Sequence, residues 1–507
     1  MRNRVEVADS GWLEWFGLFY LIAPSMVYAI GFLNVPVGAT LVVLVLLSLF
    51  VLRPTATLAA VPSAPMFASA ATASLLALLV MGFPRGPFAS DWIKHWALIG
   101  LLSSEHWPVH TSLPEFGDQW LRFYFGAYLI PAATVKLLHV PTALATASWY
   151  GVGLCIALSL TQAGARPEQV SRRYLVPLVL LLMGGADGIA LKFFRTILGT
   201  PAPSWYAVHS EAWSNALVGM PLQYSSVIAQ FGWVPHQAIA SAIATLLVVR
   251  YGRSNAATAR SFAVSCLALG GLALHSPYAA IGLAPFVILE LPRIGVRSFL
   301  RVDGATLVIP CLCGVLAGLV TLINLRSELP SGALMCVACL ASTNSLKIAI
   351  FLIVELAPML CLLKRDDYAR ADTRLSIVVL LALPLFGTAL ADPVMRISLP
   401  ALFVLAVRGA SNLAQVRSTQ LQSFGTFARV VGAAVTMFVT TIGEFGYHLT
   451  AGAAHRELPA TDELRKPVYV DFALSTDISV QQFFDRSGWN FRSQYFSTSR
   501  PPLYRSK

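Results

Sequence analysis

The chain has 507 residues, of which 56% are hydrophobic and only 12% charged, and its formal net charge is +11. This composition is too apolar for a soluble domain and is typical of a polytopic membrane protein. The basic residues stand between apolar runs, so we interpret the positive charge as an orientation signal and predict no nucleic-acid partner. The composition predicts an all-α protein of about 13 transmembrane helices.

Apolar runs long enough to cross a bilayer core of about 30 Å recur along the chain. The first run is not followed by a small-residue cleavage site, so we expect no cleavable signal peptide. Two further apolar segments, 119–140 and 215–233, are ambiguous, and we interpret the first as a partly re-entrant or interfacial element. The predicted spans begin near residues 13, 37, 66, 143, 174, 234, 262, 278, 304, 346, 374, 397 and 427.

The basic groups between the runs, Arg172 and Arg250 among them, predict the orientation. If most of them face the cytoplasm, the N-terminus is inside and the C-terminal region is outside. We therefore expect a transmembrane domain at residues 1–448 and a short external tail at 449–507. The seven cysteines lie in or beside apolar runs, and we interpret the CxxC pair Cys336 and Cys339 as packing residues because no second pair follows.

The first external loop, residues 85–118, contains the stretch FASDWIKHWALIGLLSSEHWPVH. Asp91, Lys94 and His95 follow one another at i, i+3 and i+4, which places them on one face of a helix. Apolar residues cover the rest of the turn, so the pattern predicts an amphipathic juxtamembrane helix at the membrane surface. The alternative is a solvated face that carries only an Asp91–Lys94 ion pair.

The same loop has an HxxxH spacing, from His106 to His110, that could bind a metal. Pro108 lies between the two histidines and argues against a helix that would align them. We therefore predict no metal site and no cofactor, with a divalent metal as the alternative.

Further polar residues are predicted to reach the same external face. Asp187 in GGADG and His275 in LHSPY stand at predicted outer ends of spans, and charges beside the membrane often mark a site or a pathway. Alternatively, Asp187 and Glu211 are loop caps, and His275 is a core histidine whose hydrogen bonds are satisfied. Asp392 and Arg396 could likewise form an internal ion pair. The candidate substrate-binding residues are Asp187, Glu211, His275, Asp392, Trp92, Trp213 and Tyr224.

The motifs DWIKHWALIGLL with WPV, GGADG, EAW with QYSS, HSPY and DPVMRISLPALFVL resemble those of the GT-C superfamily of membrane glycosyltransferases. The similarity is nearest to a loosely described set of bacterial multi-span GT-C-like proteins and covers most of residues 85–405. It implies transfer of a sugar from a polyprenyl-phosphate donor to a glycan or glycolipid acceptor, on the periplasmic face of the bacterial inner membrane. It also identifies Asp91 with the catalytic carboxylate of the first loop and Arg396 with a ligand of the donor phosphate.

Such a transfer needs a base for the acceptor hydroxyl and cationic groups beside the departing phosphate. Asp91 is the predicted base, and inversion at the anomeric carbon is the expected outcome. Arg396, with Lys94 or His95, is expected to hold the phosphate, because a guanidinium binds phosphate in bidentate fashion. The chain lacks a WWD motif and its tail is short, so the sequence does not support peptide acceptors and leaves the acceptor open.

Two other functions fit the same composition. A transporter or flippase of a lipid-linked or anionic substrate would use Asp392 and Arg396 as intramembrane charges. A non-catalytic envelope scaffold is the third possibility. A transporter needs polar groups through the whole membrane thickness, whereas the sequence predicts that they gather at one face.

Overall fold

We describe the protein from a computed structural model. It describes residues 11–54, 64–80, 91–113, 117–121, 124–163, 172, 174–197, 213, 222–251, 259–290, 304–325, 345–385, 391–416, 426–427, 430–435, 437–443 and 496–497. Within these ranges the side chains of some residues, including 91–94 and 391–393, lie outside the description.

The described part is a helical bundle with one small sheet. The first helices are α1 (Gly11–Phe32), α2 (Val35–Val51), α3 (Ala64–Val80) and α4 (Asp91–Ser104), and strands β1 (His110–Leu113) and β2 (Gly117–Leu121) follow. Next come α5 (Gly126–Leu138), α6 (Thr142–Ala163), α7 (Val176–Leu181), α8 (Asp187–Ile197), α9 (Val227–Trp233) and α10 (Pro235–Tyr251). The last elements are α11 (Ala259–His275), α12 (Pro277–Glu290), α13 (Gly304–Leu325), α14 (Ser345–Cys361), α15 (Arg365–Tyr368), α16 (Ala371–Ala382), α17 (Ala391–Leu413) and β3 (Phe496–Ser497).

Several of these helices have the length and composition of membrane spans. Among the described residues, Gly11–Phe32, Thr142–Gln162, Gly304–Asn324 and Val394–Leu413 are long and apolar enough to cross a bilayer. Large apolar side chains such as Phe50, Leu75 and Ile353 are exposed on the outside of the bundle, where lipid would cover them. The chain is therefore a helical membrane protein. Thirteen crossings stay a prediction.

The four span-length helices differ in how deeply they lie in the bundle. Gly304–Asn324 is 33% buried, as expected of a helix at the lipid boundary, whereas Val394–Leu413 is 89% buried. Helix α10 is likewise enclosed, since Ser241 to Val249 are all buried. A helix that is buried all round forms the core of a large bundle, so α10 and α17 are the central helices.

Two of the described connections between helices lie inside the bundle instead of at its ends. Helix α7 has only six residues. In the break that follows it, the Ala186 N–H donates a hydrogen bond to the carbonyl of Val354, in the middle of α14 (2.9 Å). The turn from α11 to α12 lies beside the middle of α1, because the His275 ring stacks on Tyr20 (6.0 Å). Asp187 and His275, which the sequence places at outer ends of spans, thus lie in interior breaks.

The two ambiguous apolar segments form short helices. The segment 119–140 contains strand β2 and the 13-residue helix α5, whose first residue, Gly126, packs against His275. A Cβ on Gly126 would lie 2.7 Å from the His275 ring, so this close approach requires glycine. The segment 215–233 contains the seven-residue helix α9. Both helices are too short to cross a bilayer on their own. The interpretation of the first segment as a re-entrant or interfacial element stays a prediction.

One end of the bundle carries paired basic side chains. Arg260 on α11 donates to the carbonyl of Leu52 after α2 (2.8 Å). Arg250 in the last turn of α10 pairs with Glu14 in the first turn of α1 (3.2 Å). We call this end of the bundle the basic end.

Arg172 lies at the basic end too. It donates to the carbonyl of Val416, just after α17 (2.9 Å). Two residues later the Tyr174 carbonyl accepts a hydrogen bond from Ser69, in the first turns of α3. Arg172, Arg250 and Arg260 thus gather at one end, as the orientation rule predicts for a cytoplasmic face.

The described part of the predicted external loop, residues 91–113 and 117–118, leads to the opposite end. Trp107 packs against Gly31 and stacks on Phe32 at the end of α1 (ring centroids 5.5 Å). Helix α4 confirms the helix predicted for this loop. Its His95 and Ile99 are buried, at 2% and 0% exposed, so α4 packs into the bundle rather than lying only on its surface.

A three-stranded sheet follows α4 and brings part of the C-terminal tail to the same end. Strands β1 and β2 form an antiparallel hairpin in which His110 lies opposite Trp120. Strand β3 pairs with β2, with Phe496 opposite Leu121. The sheet qualifies the all-α prediction. The rest of the tail lies outside the described residues.

We expect His106 and Arg172 to be accessible from opposite sides of the membrane, because both are exposed and they lie at opposite ends of the bundle. His106→Cys and Arg172→Cys, each on a cysteine-free background, can be labelled in intact cells with an impermeant maleimide. The expected result is labelling of His106→Cys alone. Labelling of both from one side would contradict the arrangement.

Candidate functional site

A buried polar cluster lies where α4, α5, α10, α11 and α17 meet, near the interior turn from α11 to α12. We call it the histidine cluster. Its members are His95, Tyr124, Tyr128, His236, Gln237, Ser276 and Arg396, and hydrogen bonds or ring contacts join each of them to another.

Two histidines from different helices meet in this cluster. His95 on α4 is hydrogen bonded through Nδ1 to the hydroxyl of Tyr128 on α5 (2.8 Å). Its ring lies 4.4 Å from the ring of His236, at the start of α10. His95 and His236 are 2% and 3% exposed. A pair of imidazoles that is enclosed and held in this way can move a proton or donate to an anion.

Arg396 brings a buried positive charge to the cluster. Its Nη1 donates to the hydroxyl oxygen of Tyr124 (2.8 Å), and its guanidinium lies 5.9 Å from the centre of the Tyr124 ring. Gln237 Nε2 donates to the same oxygen (3.2 Å) and lies 2.9 Å from Nε2 of His236. Ser276 donates to Gln237 Oε1 (2.9 Å). These contacts hold the guanidinium and an amide at one phenol oxygen, and the same amide contacts an imidazole.

His275 borders the cluster without joining its hydrogen bonds. It precedes Ser276 and is 1% exposed. Its ring forms a hydrogen bond with the backbone of Leu21, in the middle of α1, instead of with a member of the cluster. The structure therefore brings His95, Arg396 and His275 of the predicted site together.

A second polar site lies in the break between α7 and α8. Asp187, 0% exposed, begins α8, and Glu355, 2% exposed, lies in the middle of α14. A Cβ on Gly185 would lie 2.6 Å from Glu355 Oε2 and 2.7 Å from Asp187 Oδ1, so both carboxylates line the same small space. We call these two residues the carboxylate pair.

Two predicted aromatic residues surround the carboxylate pair. Trp213 donates from Nε1 to Glu355 Oε1 (3.0 Å), and its ring stacks on Phe351 (6.0 Å). Tyr224 packs on the same Phe351 (5.0 Å) and donates to the carbonyl of Leu380 (2.5 Å). Both are at most 1% exposed. The structure thus places Asp187, Trp213 and Tyr224 together, in a site separate from the histidine cluster.

Several predicted residues fall outside the description. Asp91 begins α4, but its side chain and those of Trp92, Lys94 and Asp392 are not described, and neither is any part of Glu211. Cys336 and Cys339 also lie outside the described residues. Among the residues that are described, no group of three His, Cys, Asp or Glu side chains could hold a metal ion.

Two buried residues of these sites, Glu355 and His236, were not among those predicted from the sequence. Glu355 stands alone in the apolar run FLIVELAPML, and a single acid in such a run is by itself a signal of function. His236 follows Pro235 directly at the start of the apolar run of α10. Its pairing with His95 crosses more than a hundred residues of sequence, and no spacing rule reveals such a contact.

We expect Gly185→Ala to destabilise the protein by about 1–3 kcal/mol, because the added methyl group has no room beside the two carboxylates and the Glu355 Cα. Gly318→Ala is the matched control, since a Cβ there meets nothing within 4 Å and alanine favours the helix α13. The melting temperature in detergent should fall for Gly185→Ala and hold or rise for Gly318→Ala. Equal changes would contradict the tight packing of the carboxylate pair.

The comparisons with known proteins give no relative for this chain: no family model matches it, and neither a curated protein nor a solved structure is significantly similar. The chemistry of its own side chains must therefore carry the functional argument. The histidine cluster offers a guanidinium, an amide N–H, phenols and imidazoles, a set suited to binding an anion such as a phosphate. The carboxylate pair offers acceptors and suits a proton or a cation.

Proposed function

We propose that the chain is a membrane glycosyltransferase of the GT-C type, which transfers a sugar from a polyprenyl-phosphate donor to a glycan or glycolipid acceptor of the cell envelope. The observation that carries the proposal is Arg396, a buried guanidinium held by Tyr124 within a cluster of hydrogen-bond donors. A phosphate in contact with membrane lipid needs a buried cation and neutral donors, and a guanidinium provides two parallel N–H groups for it.

The position of α4 supports the same proposal. His95 on α4 belongs to the histidine cluster, and Asp91 precedes it by four residues, about one helical turn. The spacing therefore brings the predicted base to within a turn of the predicted phosphate site. Asp91 would accept the proton of the acceptor hydroxyl, while Arg396 and His95 would stabilise the departing phosphate.

The basic end predicts the side of the membrane on which the reaction takes place. Arg172, Arg250 and Arg260 gather opposite to residues 105–121, and basic loops favour the cytoplasm. The histidine cluster would then open toward the periplasm of a bacterial inner membrane, beneath α4 and the β1–β2 hairpin. Donor, acceptor and bilayer are the proposed partners, and the proposed reaction inverts the anomeric carbon.

A transfer assay tests this function. The purified full-length protein in nanodiscs is incubated with a polyprenyl-phosphate sugar and with envelope glycans from a strain that lacks the gene. Mass spectrometry of the glycans should show one added sugar with wild-type protein and none with Arg396→Ala. Unchanged glycans with every donor sugar, together with unchanged envelope glycans in the deletion strain, would contradict glycosyl transfer.

A second candidate, a transporter or flippase, is favoured by the carboxylate pair. Asp187 and Glu355 lie in an interior helix break, apart from the histidine cluster, and transporters place ion sites at such breaks. The polar groups therefore do not all gather at one face. Proteoliposomes loaded with a fluorescent polyprenyl-phosphate sugar distinguish the two functions, because a flippase moves this lipid between leaflets without an acceptor and a transferase does not.

A further inference from the structure

Helix α10 carries two rows of side chains, and the first row faces α6 and α1. A Cβ on Gly153 of α6 would lie 2.7 Å from Ile239, and one on Gly17 of α1 would lie 3.1 Å from Ile243. Leu247 continues this row and contacts the same position on α1. The row is apolar along its length, as expected for tight packing between helices.

The second row, Gln237, Ser241 and Thr245, is polar. It is offset from the first by two residues, which is about 200° around a helix, so it faces the side where α10 packs against α11, α12 and α17. Gln237 fixes this direction, because its Oε1 accepts a hydrogen bond from Ser276, at the turn between α11 and α12 (2.9 Å). All three residues of the row are at most 1% exposed.

The two hydroxyls in this row need a partner. In the part of the chain that the structure describes, neither Ser241 Oγ nor Thr245 Oγ1 makes a hydrogen bond. Other buried hydroxyls, such as those of Ser74, Thr146 and Thr321, donate to the carbonyl one turn back in their own helix. The hydroxyls of α10 do not, although nothing in their sequence forbids it. Buried polar groups without a protein partner are usually satisfied by internal water.

Gln162, which lies nearer the basic end, is a third buried side chain whose polar atoms need a partner. Both amide atoms of Gln162, at the end of α6, lack a hydrogen bond within the described residues, and the side chain is 0% exposed. Gln162 lies nine residues, or about 13 Å, beyond the contact of Gly153 with Ile239. Along the axis of α10, Gln162 therefore lies level with the turn between Thr245 and Arg250.

The polar row joins two regions that hold charges. Gln237 donates to the hydroxyl oxygen of Tyr124, to which Arg396 donates as well, so one end of the row reaches the histidine cluster. At the other end, Thr245 lies about 7.5 Å along α10 from Arg250, which pairs with Glu14 at the basic end. The row therefore spans most of the distance between the basic end and the cluster.

We propose that a file of internal waters follows Ser241 and Thr245 and carries protons between the basic end and the histidine cluster. Each hydroxyl accepts a hydrogen bond from one water and donates to the next. A proton that enters at one end therefore releases another at the other end, and nothing is oxidised or reduced. The file does not depend on sugar transfer, so its failure and the failure of the proposed function are separate outcomes.

The melting temperature of Thr245→Val in nanodiscs tests for the water. Valine keeps the shape of threonine and removes the hydroxyl. If water binds the hydroxyl, the melting temperature falls by about 1–3 °C. If the interface is dry, the buried hydroxyl has no hydrogen bond and destabilises the fold. Its removal then leaves the melting temperature unchanged or raises it, and this result overturns the proposal. Thr146→Val, at a hydroxyl that donates within its own helix, measures the effect of the same substitution elsewhere.

Proton movement is tested in sealed proteoliposomes that contain a pH-sensitive dye and valinomycin. After an external pH step, wild-type protein should equilibrate the interior severalfold faster than protein-free liposomes. The double variant Ser241→Ala with Thr245→Val should lose most of this increase, and Thr146→Val should keep it. Wild-type rates equal to those of protein-free liposomes, or a double variant as fast as wild type, would overturn the proton path.

Discussion

Asp91→Asn is expected to lower the rate of sugar transfer by about 10² to 10⁴, the usual loss on removal of a general base. Asparagine is nearly isosteric with aspartate, so the melting temperature and the binding of donor should stay close to wild type. An Asp91–Lys94 ion pair predicts a different result, since such a pair at a membrane surface is worth only about 0–1 kcal/mol. A single-turnover assay with a polyprenyl-phosphate sugar measures the rate.

His95→Gln is the comparison for this experiment. His95 lies one turn after Asp91 and is fixed by Tyr128 and His236, which makes it the other group on α4 that could take a proton. If Asp91 is the base, His95→Gln weakens donor binding more than it slows the chemical step. If His95→Gln loses the rate and Asp91→Asn retains more than about a tenth of it, Asp91 has no part in the chemistry.

Much of the helical architecture could be predicted from the apolar runs. Helices begin at Gly11, Val35, Thr142, Gly304 and Ser345, close to the predicted starts at 13, 37, 143, 304 and 346. Hydropathy identifies such helices because a bilayer core accepts only backbone whose polar groups are internally bonded. It does not reveal how far each helix reaches, and the predicted span near 174 begins with the six-residue helix α7.

The candidate site was predictable only where charge was visible in an apolar context. Arg396 and His95 stand out in the sequence, and the structure joins them to one cluster through Tyr124, Gln237 and His236. Asp187 was also visible, but its position in an interior break depends on the packing of α7 and α14. Contacts across such sequence distances follow from tertiary packing, which no local pattern contains.

The two polar sites also explain why the bundle needs interior breaks. A helix that crosses the bilayer without interruption bonds all of its backbone groups to itself and offers only side chains to a ligand. The turn from α11 to α12 brings helix ends to the histidine cluster, and the break before α8 brings a helix end to the carboxylate pair. Enclosed charges at such places are costly and are kept for function.

Arg396→Lys is expected to weaken the binding of a polyprenyl-phosphate sugar by about tenfold or more, because a lysine ammonium is a point charge and cannot offer two parallel N–H groups to a phosphate. The positive charge near Tyr124 remains, so the protein should fold and its melting temperature should stay near wild type. Binding is measured by titration of the donor into full-length protein in nanodiscs, with the acceptor omitted.

Arg408→Lys is the matched control, because Arg408 lies on the same helix α17 but pairs with Asp372 (2.5 Å) instead of joining the histidine cluster. This variant should leave donor affinity unchanged, although the loss of the close contact with Asp372 can lower stability. Equal weakening in both variants would point to a general effect on α17. Unchanged donor affinity in Arg396→Lys would show that Arg396 does not hold the phosphate, and the geometric support for a lipid-phosphate donor would be lost with it.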